Sequence, residues 1–380
     1  MKPKVLATSW HPGGMNAIAP VIKLLQEKNL IELVVMSHNF SEKILDSHNI
    51  PYKTIQDYDI TQVSVENMKQ ILDTEKPDLV FTGTSVQENK KDIAFEQTII
   101  KAAKEKKMTT LAVLDFWGQY SERFGKLEPQ DEFTILPDTL AIMDEYAKKD
   151  LIEREFPSDL LKITGNPFFD NIENYALNFS ETDKQNIRKK IGLEQNVLLF
   201  YAANAWKQNI EKFGYWDLEN IIIIDNALES VPANLKEKTG VCVKLHPRCP
   251  SEDLEEIQTY IHNSKNNIKL VSNMNSHDLI LSTNITFTPS STAAIEAIYM
   301  NKPAASIQPG LKCQDYLSIL TKNDIAPVGY TVDDCKALVR RVITDSNYRE
   351  HELREKASRF RTDGKATERV TALVYEMLGL

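Results

Sequence analysis

The sequence of 380 residues has few cysteines, no excess of positive charge and no long apolar run. Its 4 cysteines are too irregularly spaced for a zinc knuckle or a disulfide framework, so we expect reduced thiols and a cytoplasmic location. The net charge of −9 argues against nonspecific nucleic-acid binding, because that binding needs a basic surface. No apolar run is as long as a membrane span, and the first predicted strand begins without a preceding signal-like segment.

The chain also lacks an Asp-x-Asp pair at a predicted strand end, the pattern that holds a cation bound to a diphosphate. Asp57 and Asp59 have this spacing, but they lie in a polar segment. The dinucleotide fingerprint is missing too, because Gly13 and Gly14 follow the first predicted strand without a third glycine. We therefore expect no metal site and no bound cofactor.

Short apolar runs alternate with helical patterns along the whole chain. The runs of the first half are 5–8, 33–36, 79–82, 110–114 and 140–143, and those of the second half are 197–201, 241–245, 268–271, 285–288 and 304–307. Helical spacing is clear between the runs, for example over 17–28 and 93–106. This alternation predicts an α/β fold with parallel sheets that are covered by helices on both faces.

The length predicts two domains, and the strand pattern restarts near residue 195 after a Gly-Asn-Pro turn at 165–167. We expect one Rossmann-like domain over 1–170 and a second over 190–365. The final helix, 366–380, is expected either to stay with the second domain or to cross back to the first.

Two motifs in the second half end apolar runs with groups suited to an anion. His246-Pro247-Arg248 follows the run 241–245, and Ser290-Ser291-Thr292 follows the run 285–288 and begins a predicted helix. Strands of a parallel sheet end at one crevice, where helix N-termini attract phosphate, so we predict a diphosphate or nucleotide phosphate site. The serines also suit a plain helix cap, and His-Pro commonly ends a strand.

Two further residues are expected in this phosphate site. Asn204, after the run 197–201, would contact phosphate. Glu296, about one turn into the helix that Ser290 begins, would bind a ribose hydroxyl or else lie on the helix surface.

The two-domain arrangement with both motifs in the second half resembles the GT-B glycosyltransferase fold, whose domains face a cleft. His246-Pro247 is similar to the HP motif, and Ser290-Ser291 to the paired-serine motif, of bacterial sialyltransferases and polysialyltransferases, which use CMP-activated nonulosonic acids. CDP-glycerol glycerophosphotransferases and capsule Kdo transferases carry related features. The resemblance implies a metal-independent transferase that moves a sugar from a nucleotide-sugar donor to a hydroxyl of a glycan, a lipid-linked acceptor or a protein.

Other activities fit the same pattern. UDP-N-acetylglucosamine 2-epimerases share the fold and a His-Pro step. Their motif, however, is Ser-Gly-Gly followed by paired glutamates, where this chain has Ser290-Ser291-Thr292 and Glu296 alone. A CDP-polyol phosphotransferase is a further alternative. The last alternative is a module that binds a nucleotide-sugar without catalysis, and such a module would need no carboxylate in the first domain.

Transfer to a hydroxyl requires a group that takes its proton, and Asp115 is our candidate base. It follows the run 110–114, so it is expected at the carboxyl end of the first sheet, with Trp117 and Tyr120 available to stack on a sugar ring. The sialyltransferases of this fold use an acidic residue of the first domain, although their acidic pattern is not reproduced here. The alternative is an Asp115 that only caps the next turn.

The segment 9–16 is predicted to be a loop that contacts the acceptor or the sugar. Gly13 and Gly14 would let a substrate approach the backbone, and His11 would face it. A structural turn with a buried His11 is the alternative.

Near the end of the chain, the segment 336–369 has more Lys and Arg than Asp and Glu. This bias predicts either a peripheral contact with the inner face of a membrane or a solvated helix face.

Overall fold

A computed structural model describes residues 2–37, 39–86, 95–125, 133–360 and 363–380. The chain divides into two compact units, one formed by Met1–Asn171 with Asp363–Leu380 and the other by Ile172–Thr362. None of the helices in the described ranges is long and apolar enough to cross a membrane.

The first unit contains a parallel sheet of six strands in the order β2-β1-β3-β4-β5-β6. The strands are β1 Lys4–Ser9, β2 Glu32–Ser37, β3 Leu79–Thr82, β4 Thr109–Val113, β5 Thr139–Ile142 and β6 Leu161–Ile163. Its helices are α1 Pro12–Lys28, α2 Glu42–Ser47, α3 Val65–Glu75, α4 Phe95–Glu105, α5 Tyr120–Phe124, α6 Glu145–Glu153, α7 Pro167–Leu177, which runs on into the second unit, and α18 Ala366–Leu378.

Side chains alternate between the two faces of the first sheet, so each face has its own core. Val5 and Phe81 pack with apolar residues of α1 and α18, whereas Leu6 and Val80 pack with those of α3 and α4. Burial on both faces explains why β1 and β3 have consecutive apolar residues at their centres instead of an alternation of apolar and polar residues.

The C-terminal helix α18 belongs to the core of the first unit. Val370 and Val374 are fully buried there, and the Asp170 carboxylate accepts hydrogen bonds from the N–H groups of Ala366 and Thr367 at 3.1 and 2.7 Å. Arg369 donates from Nε to the carbonyl of Thr164 at 2.6 Å.

The second unit also contains a parallel sheet of six strands, in the order β12-β11-β10-β7-β8-β9. The strands are β7 Val197–Ala202, β8 Thr239–Lys244, β9 Ile268–Leu270, β10 Ile285–Thr288, β11 Ala304–Ile307 and β12 Val328–Gly329. Its helices are α8 Glu181–Ile191, α9 Ile210–Phe213, α10 Asp217–Glu229, α11 Ala233–Lys236, α12 Ser251–Asn263, α13 Ser276–Ser282, α14 Ala293–Tyr299, α15 Ser318–Thr321, α16 Val332–Thr344 and α17 Leu353–Ala357.

The predicted α/β class with two parallel sheets is confirmed, and every predicted apolar run overlaps a strand of the structure. Two strands were missed: β6, which has only three residues with Lys162 in the middle, and β12, which has two. The helix predicted over 17–28 begins earlier, at Pro12. Residues 93 and 94 of the helix predicted over 93–106 lie outside the described residues, and the described part is α4.

Candidate functional site

Three neighbouring strands of the second sheet end at the same edge, and each is followed by a predicted site residue. Strands β10, β7 and β8 are adjacent and parallel, with Tyr201 paired to Phe287 and Ala202 paired to Lys244. Asn204, His246 and Ser290 each follow the last residue of their strand by two positions. We call the loops after these three strands the carboxyl edge of the second sheet.

Hydrogen bonds join the loops after β7 and β10. The Asn204 amide donates from Nδ2 to the Ser290 hydroxyl at 3.1 Å, and Thr288 donates from Oγ1 to the carbonyl of Ala202 at 2.7 Å. The structure therefore brings together Asn204 and Ser290, although they are far apart in the sequence.

The helix cap that the serines suit is formed at the start of α14 by Ser291, whose hydroxyl bonds to the first turn of the helix. Thr292 occupies the N-cap position, and its side chain does not cap the helix. The Ser291 hydroxyl accepts a hydrogen bond from the Ala293 N–H at 3.2 Å, while the Ser291 N–H donates to Thr288 Oγ1 at 3.1 Å. The hydroxyl of Ser291 is thus partly occupied by the helix start, and Ser290 bonds to Asn204 instead.

The imidazole of His246 is oriented by its own loop. The backbone N–H of Arg248 donates to Nδ1 at 3.1 Å, and the ring meets that of Trp206 edge to face at 6.0 Å between centroids. Burial lowers the pKa of His246, and the charge of Arg248 lowers that pKa further. At neutral pH the ring is therefore uncharged, and because Nδ1 accepts, its proton is on Nε2, which can donate to a ligand. The side chain of Arg248 is exposed.

A cavity of about 970 Å³ lies beside His246. It is lined by Lys244 at the end of β8, by the loop that follows, including Cys249, by residues of α12 and β9, and by residues 271–274 after β9. Its volume is in the range of nucleotide and cofactor sites.

A second polar cluster borders this edge. Lys244 donates from Nζ to the Met274 carbonyl at 2.8 Å and to the Ser276 hydroxyl at 2.7 Å, and burial lowers its pKa. His277 Nε2 lies 3.1 Å from a carboxylate oxygen of Glu296, and Thr292 donates to the other oxygen at 3.1 Å. The predicted phosphate ligand Thr292 is therefore a partner of Glu296, which is not a free surface residue.

In the first unit, Asp115 lies after β4 as predicted, but it is paired with a cation. Its carboxylate forms a buried ion pair with Arg123 and accepts a hydrogen bond from Thr84 Oγ1 at 2.6 Å. Arg123 also donates to Thr84 Oγ1 at 2.9 Å. Asp115 therefore belongs to a preformed charged network.

The prediction that Trp117 and Tyr120 present their rings to a sugar is wrong. Trp117 is 5% exposed and Tyr120 is 1% exposed, so both belong to the core. The Trp117 indole donates to both carboxylate oxygens of Asp144, at 3.1 and 3.0 Å, and burial raises the pKa of Asp144.

The prediction of a loop at 9–16 is also wrong, because Gly13 and Gly14 lie in the first turn of α1. A Cβ on Gly13 would lie 2.3 Å from Asp115 Oδ2, and one on Gly14 would lie 2.6 Å from the Thr84 carbonyl oxygen. These glycines let the helix approach the loops after β3 and β4. His11 precedes the helix, partly exposed, with its ring stacked on that of Phe40 at 6.0 Å.

Within the described ranges, no three His, Cys, Asp or Glu side chains come together as a metal site. Several cations of the segment 336–369 are paired with acids of the same unit: Arg349 with Glu350, and Lys356 with Asp324. Its contact with a membrane stays a prediction.

Residues 137–376, more than half of the chain, match the model of the CDP-Glycerol:Poly(glycerophosphate) glycerophosphotransferase family. The chain belongs to this family. The match covers the second unit and starts after Asp115, so it includes the HP and paired-serine motifs but not the proposed base. This match does not support the resemblance of His246-Pro247 and Ser290-Ser291 to the motifs of sialyltransferases.

Solved structures with the GT-B fold resemble the whole chain. The S. aureus MnaA–UDP co-structure has a TM-score of 0.67 and 18% identity, covering 100% of this chain and 97% of that one. UDP-GlcNAc 2-epimerase from Neisseria meningitidis bound to UDP-GlcNAc has a TM-score of 0.68 and 17% identity, covering 99% of each chain. Anabaena Alr3699/HepE in complex with UDP has a TM-score of 0.65 and 13% identity, covering 100% of each chain. No protein of curated function matches the sequence.

The sequence interpretation missed three buried or half-buried groups. Asp217 accepts from the N–H groups of Asn204 and Ala205 at 3.2 and 2.8 Å and so fixes the loop after β7, and burial raises its pKa to about 7. Glu96 in the first unit accepts from the Ser9 hydroxyl at 2.6 Å. His277 was the third. The only local signal was the position of Asp217 and His277 in the first turn of a helix.

Proposed function

We propose that this protein transfers a polyol phosphate, such as glycerol phosphate, from a CDP-activated donor to a hydroxyl acceptor. The family match over 137–376 carries the proposal, because it spans the unit in which His246, Asn204 and Ser290 share one edge. The acceptor is proposed to be a glycan, a lipid-linked polymer or a protein that bears hydroxyl groups.

In this reaction the acceptor oxygen attacks the phosphorus that bears the polyol. A new P–O bond forms, the P–O bond to CMP breaks, and the proton of the acceptor hydroxyl passes to a base. Negative charge develops on the departing CMP phosphate, so donors at that phosphate lower the barrier.

The proposed phosphate donors are Nε2–H of His246, the guanidinium of Arg248, and Ser290 with Asn204. His246 is supported by its fixed tautomer, since the bond from Arg248 N–H to Nδ1 leaves Nε2 as the donor. Arg248 is exposed and can form two parallel bonds with a phosphate. The N–H of Ser291 is bonded to Thr288 and its hydroxyl to Ala293, so we expect Ser291 to contribute less to phosphate binding than Ser290 does.

Asp115 is our proposed base. Its carboxylate is held by Arg123 and Thr84, and this fixes its direction. His11 is the next candidate. Catalysis by Asp115 predicts a loss of transfer without a loss of nucleotide binding.

A UDP-sugar epimerase or glycosyltransferase is the competing activity, because the structural neighbours named above include proteins with UDP or UDP-GlcNAc bound. The paired glutamates of the epimerases are reduced here to Glu296. This departure favours the CDP-dependent reaction.

Thermal unfolding with CDP, CMP, UDP and UDP-GlcNAc tests the donor, because a ligand raises the unfolding temperature according to its concentration and affinity. We expect CDP to stabilise the protein more than UDP, and CDP-glycerol to yield CMP when an acceptor polymer is present. Stabilisation by UDP-GlcNAc with release of a free hexosamine would assign the protein to the epimerases instead.

A further inference from the structure

The carboxylate of Glu296 is held between two donors from different parts of the second unit. His277 Nε2 lies 3.1 Å from one oxygen, and Thr292 Oγ1 donates to the other at 3.1 Å. A carboxylate can accept about four hydrogen bonds, so each oxygen of Glu296 retains capacity for a ligand. The side chain of Glu296 is 17% exposed.

His277 is fixed on its own helix. Its backbone N–H donates to Asn275 Oδ1 at 2.9 Å, and its ring lies 5.5 Å from that of Tyr175. The Tyr175 hydroxyl donates to Asp278 at 2.5 Å, which holds the tyrosine in place. The imidazole is therefore positioned before any ligand arrives.

The geometry also fixes which nitrogen of His277 carries a proton. An ionised carboxylate can only accept, so the 3.1 Å contact requires a hydrogen on Nε2. This holds for both the neutral ring and the imidazolium.

This pair borders the proposed donor site. Lys244, at the end of β8, donates to the Met274 carbonyl and the Ser276 hydroxyl, which ties the start of α13 to the strand that leads to His246. Glu296 lies on α14, which begins directly after Ser290-Ser291-Thr292. A ligand phosphate at Ser290 thus has the Glu296 pair beside it.

We propose that His277 is a positioning residue that directs Glu296 to the ribose hydroxyls of the donor nucleotide and so selects ribonucleotides. The inference rests on the proposed function only in requiring a nucleotide at this edge. Hydroxyl groups of a ribose would donate to the capacity left on Glu296, whereas a sugar without them would leave the carboxylate desolvated and unmatched.

Calorimetric binding of CDP and 2′,3′-dideoxy-CDP tests this proposal. We expect the wild-type protein to bind CDP about tenfold more tightly, since a hydrogen bond to a charged group has roughly that effect. His277→Gln keeps an N–H donor near the position of Nε2 and should retain this ratio. His277→Asn places its amide nearer to Nδ1 and should bring the ratio towards one.

Thr292→Val removes the second donor to Glu296 with little change of shape, so it should also lower the ratio of the two affinities. This variant provides the test if His277→Asn does not fold. His351, which is exposed in the same unit, supplies the control pair His351→Gln and His351→Asn. A role of His277 in folding alone would weaken both ligands equally.

The inference is overturned if the wild-type protein binds both nucleotides equally, if His277→Asn keeps the wild-type ratio, or if Gln and Asn at 277 lower the ratio to the same extent. Tighter binding of UDP than CDP would overturn only the CDP donor, and the ratio would then be measured with UDP and 2′,3′-dideoxy-UDP.

Discussion

The side-chain amide of Asn204 donates a hydrogen bond of 3.1 Å to the hydroxyl of Ser290, which joins two loops that are 86 residues apart in the chain. The bond forms because β7 and β10 are parallel neighbours that end at the same edge. A phosphate that contacts Ser290 therefore meets Asn204 as well.

Asn204→Ala should weaken CDP binding about tenfold, because it removes a phosphate donor and frees Ser290 to rotate. Calorimetry measures the affinity, and Asn178→Ala, at an exposed position, is the control. Unchanged affinity for CDP would remove Asn204 from the phosphate site.

His246→Ala and Arg248→Ala should each reduce turnover by about 10² to 10³, as when other donors to a developing charge are removed. His246→Gln should recover part of the loss, because its amide can donate near the position of Nε2. Rates of CMP release from CDP-glycerol measure the effect, with His351→Ala as control. Activity of both alanine variants within a few-fold of wild type, with folding intact, would contradict the assigned roles.

Five of the six strands of the second sheet could be predicted because burial on both faces favours short runs rich in apolar residues, as in β10 and β11, where every residue is buried. The predicted site residues Asn204, His246 and Ser290 shared one edge for the same reason, since parallel strands end together. β6 escaped prediction because its middle residue is Lys162, and three residues give no recognisable period.

The predictions that failed depended on contacts between distant residues. Trp117 was predicted to stack on a sugar because the sequence does not show its partner. That partner is Asp144, which follows another strand and accepts a hydrogen bond from the indole. Gly13 and Gly14 were predicted to lie in a loop, whereas they begin a helix that packs closely against Asp115 and Thr84. The sequence alone does not show this packing. Local patterns describe strands well, but the partners of polar side chains are set by the tertiary fold.

Asp217 should make stability depend on pH. Burial raises its pKa to about 7, so the folded protein holds this proton more tightly than the unfolded chain, whose value is near 3.8. The stabilising contribution of protonated Asp217 to the free energy of unfolding is therefore complete below about pH 4 and declines as the pH rises towards 7. Above that pH the free energy no longer changes with this group, and the total loss is about 2 to 4 kcal/mol.

Asp217→Asn cannot ionise, so this decline should be absent from the variant. Urea unfolding of both proteins at pH 5 and pH 8 measures it. Equal differences between wild type and variant at the two pH values would show that Asp217 does not titrate in this range.

Asp115→Asn tests the proposed base. The amide keeps the shape but cannot take the acceptor's proton, so transfer should collapse, while nucleotide affinity, which we assign to the second unit, should change little. The change also leaves the buried Arg123 without its anion, at a cost of about 3 to 5 kcal/mol in stability. Thr84→Val keeps the carboxylate but removes one of the two groups that fix its direction, so it should lower transfer much less than Asp115→Asn does. Wild-type transfer by a folded Asp115→Asn protein, or loss of its nucleotide binding, would place the base elsewhere, and His11→Ala would then be the next variant to measure.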